Sequence, residues 1–149
     1  ELLRAARDQK CKGAVMRVNS PGGSALASDV LWEATSEFKA SGKPFAVSMG
    51  GVAASGGYYI SAGADRIFAE RGTVTGSIGV VGMKIAVGGV MEKAGIRVHG
   101  QKRGKFADLS SISRPMSQEQ IAATRRSMLD VYAIFKKRII TENMQTILN

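Results

Sequence analysis

Ala14-Val15-Met16-Arg17-Val18-Asn19, followed at once by Ser20-Pro21-Gly22-Gly23, is the stretch on which the fold turns. A short, mostly apolar run closed by proline and two glycines reads as a strand entering a turn. From Ser24 to Ala40, Leu26, Val30, Ala34 and Phe38 recur at roughly helical spacing, with Ser24 in the N-cap position. The pattern then repeats, with Phe45 to Met49 as strand, Gly50-Gly51 as loop and Ser55 to Ala62 as a short helix. Further strands are expected at Arg66 to Ala69, Ser77 to Val81 and Arg97 to His99, with a short helix from Val87 to Ala94. Strands alternating with helices imply right-handed crossovers and a mainly parallel sheet, hence the α/β class. Residues 100–115 lack apolar periodicity and read as loop. A long helix follows from Ser117 to Thr141, opened by a Ser117/Gln120 capping box and a Met116/Ile121 staple. Its apolar face is Ile121, Met128, Val131, Ile134, Phe135 and Ile139.

The 149 residues, 44% hydrophobic, suit one compact domain spanning residues 1–149. There is no run of eighteen apolar residues; the nearest, Ile78 to Met91, is glycine-rich and broken by Lys84. The opening ELLRAARDQK is helix-like, without an initiator Met or a targeting segment. It reads as part of a longer polypeptide, and any membrane anchor is expected outside these residues. The single cysteine, Cys11, excludes an internal disulfide and cysteine-based zinc sites and reads as a small buried hydrophobe. The net charge of +9 is concentrated at Lys102-Arg103-Lys105, Arg125-Arg126 and Lys136-Lys137-Arg138. Aromatic residues do not interleave with these clusters as a nucleic-acid surface requires, so they read as a solvated face, one able to turn toward anionic lipid.

The chemistry concentrates in Met49-Gly50-Gly51-Val52-Ala53-Ala54-Ser55-Gly56-Gly57-Tyr58-Tyr59-Ile60. Small residues on both sides of Ser55 let other backbone approach its hydroxyl, and a serine at the first turn of a helix suits a nucleophile. The same serine equally suits a plain helix cap. If the strands ending in Gly22-Gly23 and in Ser55 are neighbours, the N–H groups of Gly23 and Gly56 can converge on one oxygen, as an oxyanion hole requires. An ordinary tight turn is the alternative for Pro21-Gly22-Gly23. The one histidine, His99, is far from these segments in sequence and reads as structural. A serine then needs another base, and a lysine serves when burial and nearby positive charge lower its pKa.

Asn19-Ser20-Pro21-Gly22-Gly23, Ala53-Ala54-Ser55-Gly56-Gly57-Tyr58 and Thr75-Gly76-Ser77-Ile78-Gly79-Val80 together resemble the three signatures of signal peptide peptidase A, the S49 serine peptidases. The resemblance covers nearly the whole chain, in order. It implies a Clp-protease and crotonase type of fold, Ser55 as nucleophile, Gly22, Gly23 and Gly56 around the substrate with Gly23 and Gly56 as oxyanion donors, and Ser77 as the hydroxyl that orients a catalytic lysine. It also implies peptide substrates such as signal-peptide remnants, a homo-oligomer, membrane association, and no cofactor or metal. The expected location is the outer side of a bacterial inner membrane, or a plastid membrane. In family members that work alone, the lysine follows a glycine and an aromatic residue; here Gly104-Lys105-Phe106 leads to Ala107. Ala107-Asp108-Leu109-Ser110 resembles instead the C-terminal half of the internally duplicated members, whose lysine comes from the first half. Lys105 is the fallback base, and a lysine replaced by alanine gives the same sequence. Substrates are expected to bind as an extended strand beside shallow pockets lined by residues such as Ala53 and Val80. Two other readings are a crotonase-like acyl-CoA enzyme, which has no need of Ser55, and a structural half, which has no chemical reason to keep Ser55 and Ser77. Neither a dinucleotide fingerprint nor a P-loop is complete.

Overall fold

The order along the chain is α1 (Leu2–Arg7), β1 (Ala14–Ser20), α2 (Ala25–Ala40), β2 (Phe45–Ala54), α3 (Gly56–Ser61), β3 (Arg66–Phe68), β4 (Val74–Gly76), α4 (Gly88–Lys93) and α5 (Gln118–Ile147). The computed structural model describes the backbone of residues 1–147 and the side chains of residues 1–140. The chain divides into two compact units. Glu1–Gly79 with the chain from Val131 onward forms one, and Val80–Asp130 the other.

In the first unit four strands form one sheet, and every strand pair is parallel. β2 is central: β1 lies along one edge, and β3 and then β4 follow each other along the opposite edge. This is the α/β arrangement expected from the alternating pattern. Phe45, Val47 and Met49 alternate toward one face of β2, where they join Val18, Phe38, Ala53 and Ala64 in the main core. Cys11 is half-buried at the rim of that core, its thiol donating to the Gly13 carbonyl. A second cluster joins Trp32, Tyr59, Phe135 and Ile139. α1 is held at its C-terminal end by Lys43, whose ammonium donates to the carbonyls of Ala5, Ala6 and Asp8 at 2.7 to 2.8 Å. A cation there satisfies carbonyls that the helix leaves unpaired.

Several expectations are corrected. β2 does not stop at Gly50-Gly51 but continues to Ala54, because other groups replace its interrupted ladder. The register slips between Val18 and Ser20, and the Asn19 side-chain oxygen accepts the Val52 N–H at 3.2 Å while the Thr73 hydroxyl donates to the Gly50 carbonyl at 2.9 Å. α2 is capped by Ser24 as expected, its hydroxyl accepting the Ala27 N–H, but its buried stripe is Ser28, Trp32, Thr35 and Phe38. Leu26 and Val30 face outward. The hydroxyls of Ser28 and Thr35 donate to carbonyls of their own helix, which makes them tolerable in the interior. The fourth strand is Val74–Gly76, ending before Ser77, and Arg97 to His99 form no strand. Ala53 is fully buried in the core and cannot line a substrate pocket.

In the second unit, the Val87 N–H donates to the Ile112 carbonyl at 2.8 Å, and the Lys84 ammonium donates to the Leu109 and Ser111 carbonyls. The capping box forms as read: Gln120 Oε1 accepts the Ser117 N–H at 3.0 Å, and the Ser117 hydroxyl accepts the Gln120 N–H at 3.2 Å. Gln120 also donates from Nε2 to Asp108 at 2.9 Å, which fastens the preceding loop to the helix. Of the expected apolar face of α5, Phe135 and Ile139 are buried, whereas Ile121 and Ile134 are exposed. Thr141, the expected end, lies inside α5, which continues to Ile147. Among the described residues no helix is long and apolar enough to cross a membrane.

Candidate active site

β2 delivers Ser55 at its carboxyl end, and α3 begins at the next residue, so Ser55 stands on a sharp strand-to-helix turn. Its backbone has φ +51° and ψ −118°, a conformation that a residue with a Cβ seldom adopts. Strain of this kind persists where the surroundings enforce it. Two main-chain bonds enforce it here. The Ser55 N–H donates to the Gly76 carbonyl, and the Ser55 carbonyl accepts the Tyr59 N–H, each at 2.8 Å.

The Gly22-Gly23 turn packs directly against this serine. Gly22 has φ +107°, and a Cβ on it would stand 2.7 Å from Ser55 Cβ, 2.8 Å from the Gly56 nitrogen and 3.0 Å from Ser55 Oγ. A Cβ on Gly56 would meet the Ser28 hydroxyl at 2.4 Å and lie 3.3 Å from Gly22 Cα and 3.5 Å from the Gly23 nitrogen. The close approach of the two turns therefore requires glycine at position 22, whereas at Gly56 a Cβ is opposed first by the Ser28 hydroxyl of α2. The Gly22 turn is itself tied, its N–H donating to the Ser20 hydroxyl at 3.1 Å. The Gly22-Gly23 and Ser55-Gly56 pairs, far apart in sequence, thus meet at one point.

Ser77 joins the same neighbourhood through the main chain. It follows Gly76, the residue whose carbonyl holds Ser55, and it is exposed with φ +53°. Thr75, two residues before it, donates its hydroxyl to the Ala53 carbonyl at 2.9 Å and secures β4 against β2. Ala107 and Lys105 belong to the second unit, in a stretch of turns. Lys105 is exposed, ion-paired with Glu119, and lies 5.8 Å above the Phe106 ring. His99 is exposed in the same unit. Asp108 is held by Arg114, with Lys102 at 3.2 Å.

Three contributions escaped the sequence reading. Asn19 plugs the slip in β2, Ser28 backs Gly56, and Tyr59 donates its hydroxyl to Asp29 at 2.5 Å from the helix that Ser55 opens. Tyr59 had a visible signal, since it lies four residues from Ser55; the other two depend on contacts between separate elements.

The family model for peptidase family S49 matches residues 37–146. The chain is 40% identical over 140 residues, 93% of its own length, to the protein named Serine protease SPPA, chloroplastic, from Arabidopsis thaliana. It is 45% identical over 118 residues to Protease 4 of Salmonella typhi and 43% identical over 112 residues to Protease 4 of Haemophilus influenzae, covering 78% and 75% of itself. It spans 20%, 19% and 18% of those three relatives. With its parallel α/β sheet, the match over residues 37–146 and these likenesses, the chain belongs to peptidase family S49.

Proposed function

We propose that this chain carries the nucleophilic half of a serine peptidase site, with Ser55 as nucleophile and the lysine base supplied by another segment or chain. One observation carries the reading: Gly22 lies so close to Ser55 and Gly56 that a single methyl group would collide with all three of Ser55 Cβ, Ser55 Oγ and the Gly56 nitrogen. A plain helix cap has no need of a second glycine turn pressed on its hydroxyl. In the proposed reaction Ser55 Oγ attacks the carbonyl carbon of the scissile peptide bond while its proton passes to the neutral lysine amine. The N–H groups of Gly23 and Gly56 stabilise the resulting oxyanion. Collapse breaks the C–N bond, the lysine proton goes to the leaving amine, and water then hydrolyses the ester on Ser55 by the same sequence. Ser77 orients the lysine.

Ala107 supports a base from elsewhere, since alanine has no group to accept a proton. The substrates proposed are signal-peptide remnants and other short membrane-derived peptides, cleaved by a homo-oligomer at a membrane through a segment outside these residues. The test is peptide hydrolysis by the full-length protein. Ser55→Ala abolishes it with folding retained, and Ser77→Ala slows it less. Undiminished hydrolysis by Ser55→Ala ends the proposal.

A further inference from the structure

We propose that Tyr59 and Asp29 are positioning residues that hold the Ser55 turn and the Gly22-Gly23 turn in register; the proposal rests on the reading of Ser55 as nucleophile. The two turns belong to different helices. Gly22 and Gly23 run from β1 into α2, and Ser55 runs from β2 into α3, so the sheet places the strand ends while the helix sides of the two turns depend on what joins the helices. Tyr59 is fastened at both ends. Its main-chain N–H donates to the Ser55 carbonyl at 2.8 Å, and its phenol donates to Asp29 Oδ1 at 2.5 Å. Asp29 stands on the first turns of α2, next to Ser28, the residue whose hydroxyl backs Gly56.

The acceptor is itself braced. Arg138 of α5 donates to the same Asp29 oxygen at 3.3 Å, and its guanidinium lies 3.7 Å from the centroid of the Trp32 ring. The Tyr59 ring packs on Phe135 with centroids 4.8 Å apart. Burial, together with the Asp29 carboxylate on its hydroxyl, pushes the Tyr59 phenol up to about 12, so it remains a donor across the working pH range. Phenylalanine fills the same core volume without the hydroxyl. If Tyr59 only packs the core, its replacement moves stability and leaves the reaction alone. If it sets the register, the defect appears where Gly23, Ser55 and Gly56 act together, in the transition state.

The experiment uses the full-length protein with a fluorogenic peptide, a peptide boronate that forms a tetrahedral adduct on an active-site serine, and thermal unfolding. Tyr59→Phe and Asp29→Ala are each expected to lower kcat roughly tenfold with KM changed by less than about twofold, and to weaken boronate binding by the same factor as kcat. The double variant is expected to have a kcat no lower than Asp29→Ala alone, because both substitutions remove the Tyr59–Asp29 bond; the Arg138 contact that Asp29→Ala also removes is read in thermal unfolding. Asp29→Asn keeps an acceptor oxygen for the phenol and is expected to recover most of the kcat that Asp29→Ala loses. Wild-type kcat and boronate affinity in Tyr59→Phe, or no difference between Asp29→Asn and Asp29→Ala, overturn the proposal. Ser55→Ala separates the two levels. Activity retained in Ser55→Ala sinks the nucleophile and this inference together, whereas an inactive Ser55→Ala beside an unaffected Tyr59→Phe sinks this inference alone.

Discussion

Gly22→Ala places one methyl group between the two turns, and its effect can be worked from the geometry. The new Cβ would stand 2.7 Å from Ser55 Cβ and 2.8 Å from the Gly56 nitrogen. Carbon atoms pack at about 3.5 to 4.0 Å, so one turn must retreat by roughly 1 Å. The φ of +107° adds a backbone cost on the order of 1 to 3 kcal/mol for a residue with a Cβ. A displacement of about 1 Å at reacting groups lowers rates by roughly 10²-fold. Gly22→Ala in the full-length protein is therefore expected to lower kcat/KM by about two orders of magnitude and to lower the melting temperature. Gly72→Ala is the matched control. Its Cβ meets nothing within 4 Å, and both quantities are expected to stay at parental values. The assay pairs initial rates on a fluorogenic peptide with thermal unfolding of each variant. Gly22→Ala with parental rates and an unshifted melting temperature would refute the close approach of the two turns as the basis of the site.

Asn19→Ala removes the acceptor for the Val52 N–H and the side chain that fills the slip in β2, so a loss of about 1 kcal/mol in denaturant unfolding is expected, with lowered peptide hydrolysis. An unchanged denaturation midpoint speaks against the plug. The Arg114 guanidinium, and after it Lys102, holds the Asp108 carboxyl down at about 2, below its ordinary 3.8. Because the folded value is the lower one, the contribution of Asp108 is complete above pH 3.8 and fades as the pH falls toward 2. A carboxyl resonance titrating near 2, with loop protection lost over that range, is expected; a midpoint near 3.8 contradicts the Arg114 and Lys102 contacts. The isolated 149-residue chain is expected to hydrolyse no peptide at a measurable rate and to regain activity when a polypeptide carrying the missing lysine is added, since general-base catalysis contributes roughly 10² to 10⁴ in rate. Robust hydrolysis by the isolated chain promotes Lys105 to the base.

What was legible in the sequence was local. Pro21-Gly22-Gly23 after an apolar run marks a strand entering a helix, and the caps at Ser24 and at Ser117 with Gln120 depend on neighbours three residues away. What escaped was set by contacts between distant segments. Gly50-Gly51 read as a loop because nothing nearby announces that Asn19 and Thr73 will replace the missing ladder bonds. The apolar residues of α2 pointed to Leu26 and Val30 as its inner face, yet the helix turns Ser28 and Thr35 inward because each hydroxyl finds a carbonyl within its own helix. At the site, the residue types around Ser55 were readable, but its positive φ was not, since it is imposed from outside by the Gly76 carbonyl. Ala53, two residues before Ser55, reads from the sequence as a pocket wall; strand alternation sends it into the core instead.

The central claim, that Ser55 is the nucleophile, is tested most directly by treating the full-length protein with a fluorophosphonate and locating the adduct by peptide mass spectrometry. The expected result is one labelled site, on Ser55, lost in Ser55→Ala and weakened in Gly22→Ala. An adduct on another serine, or labelling that survives Ser55→Ala, would contradict the account.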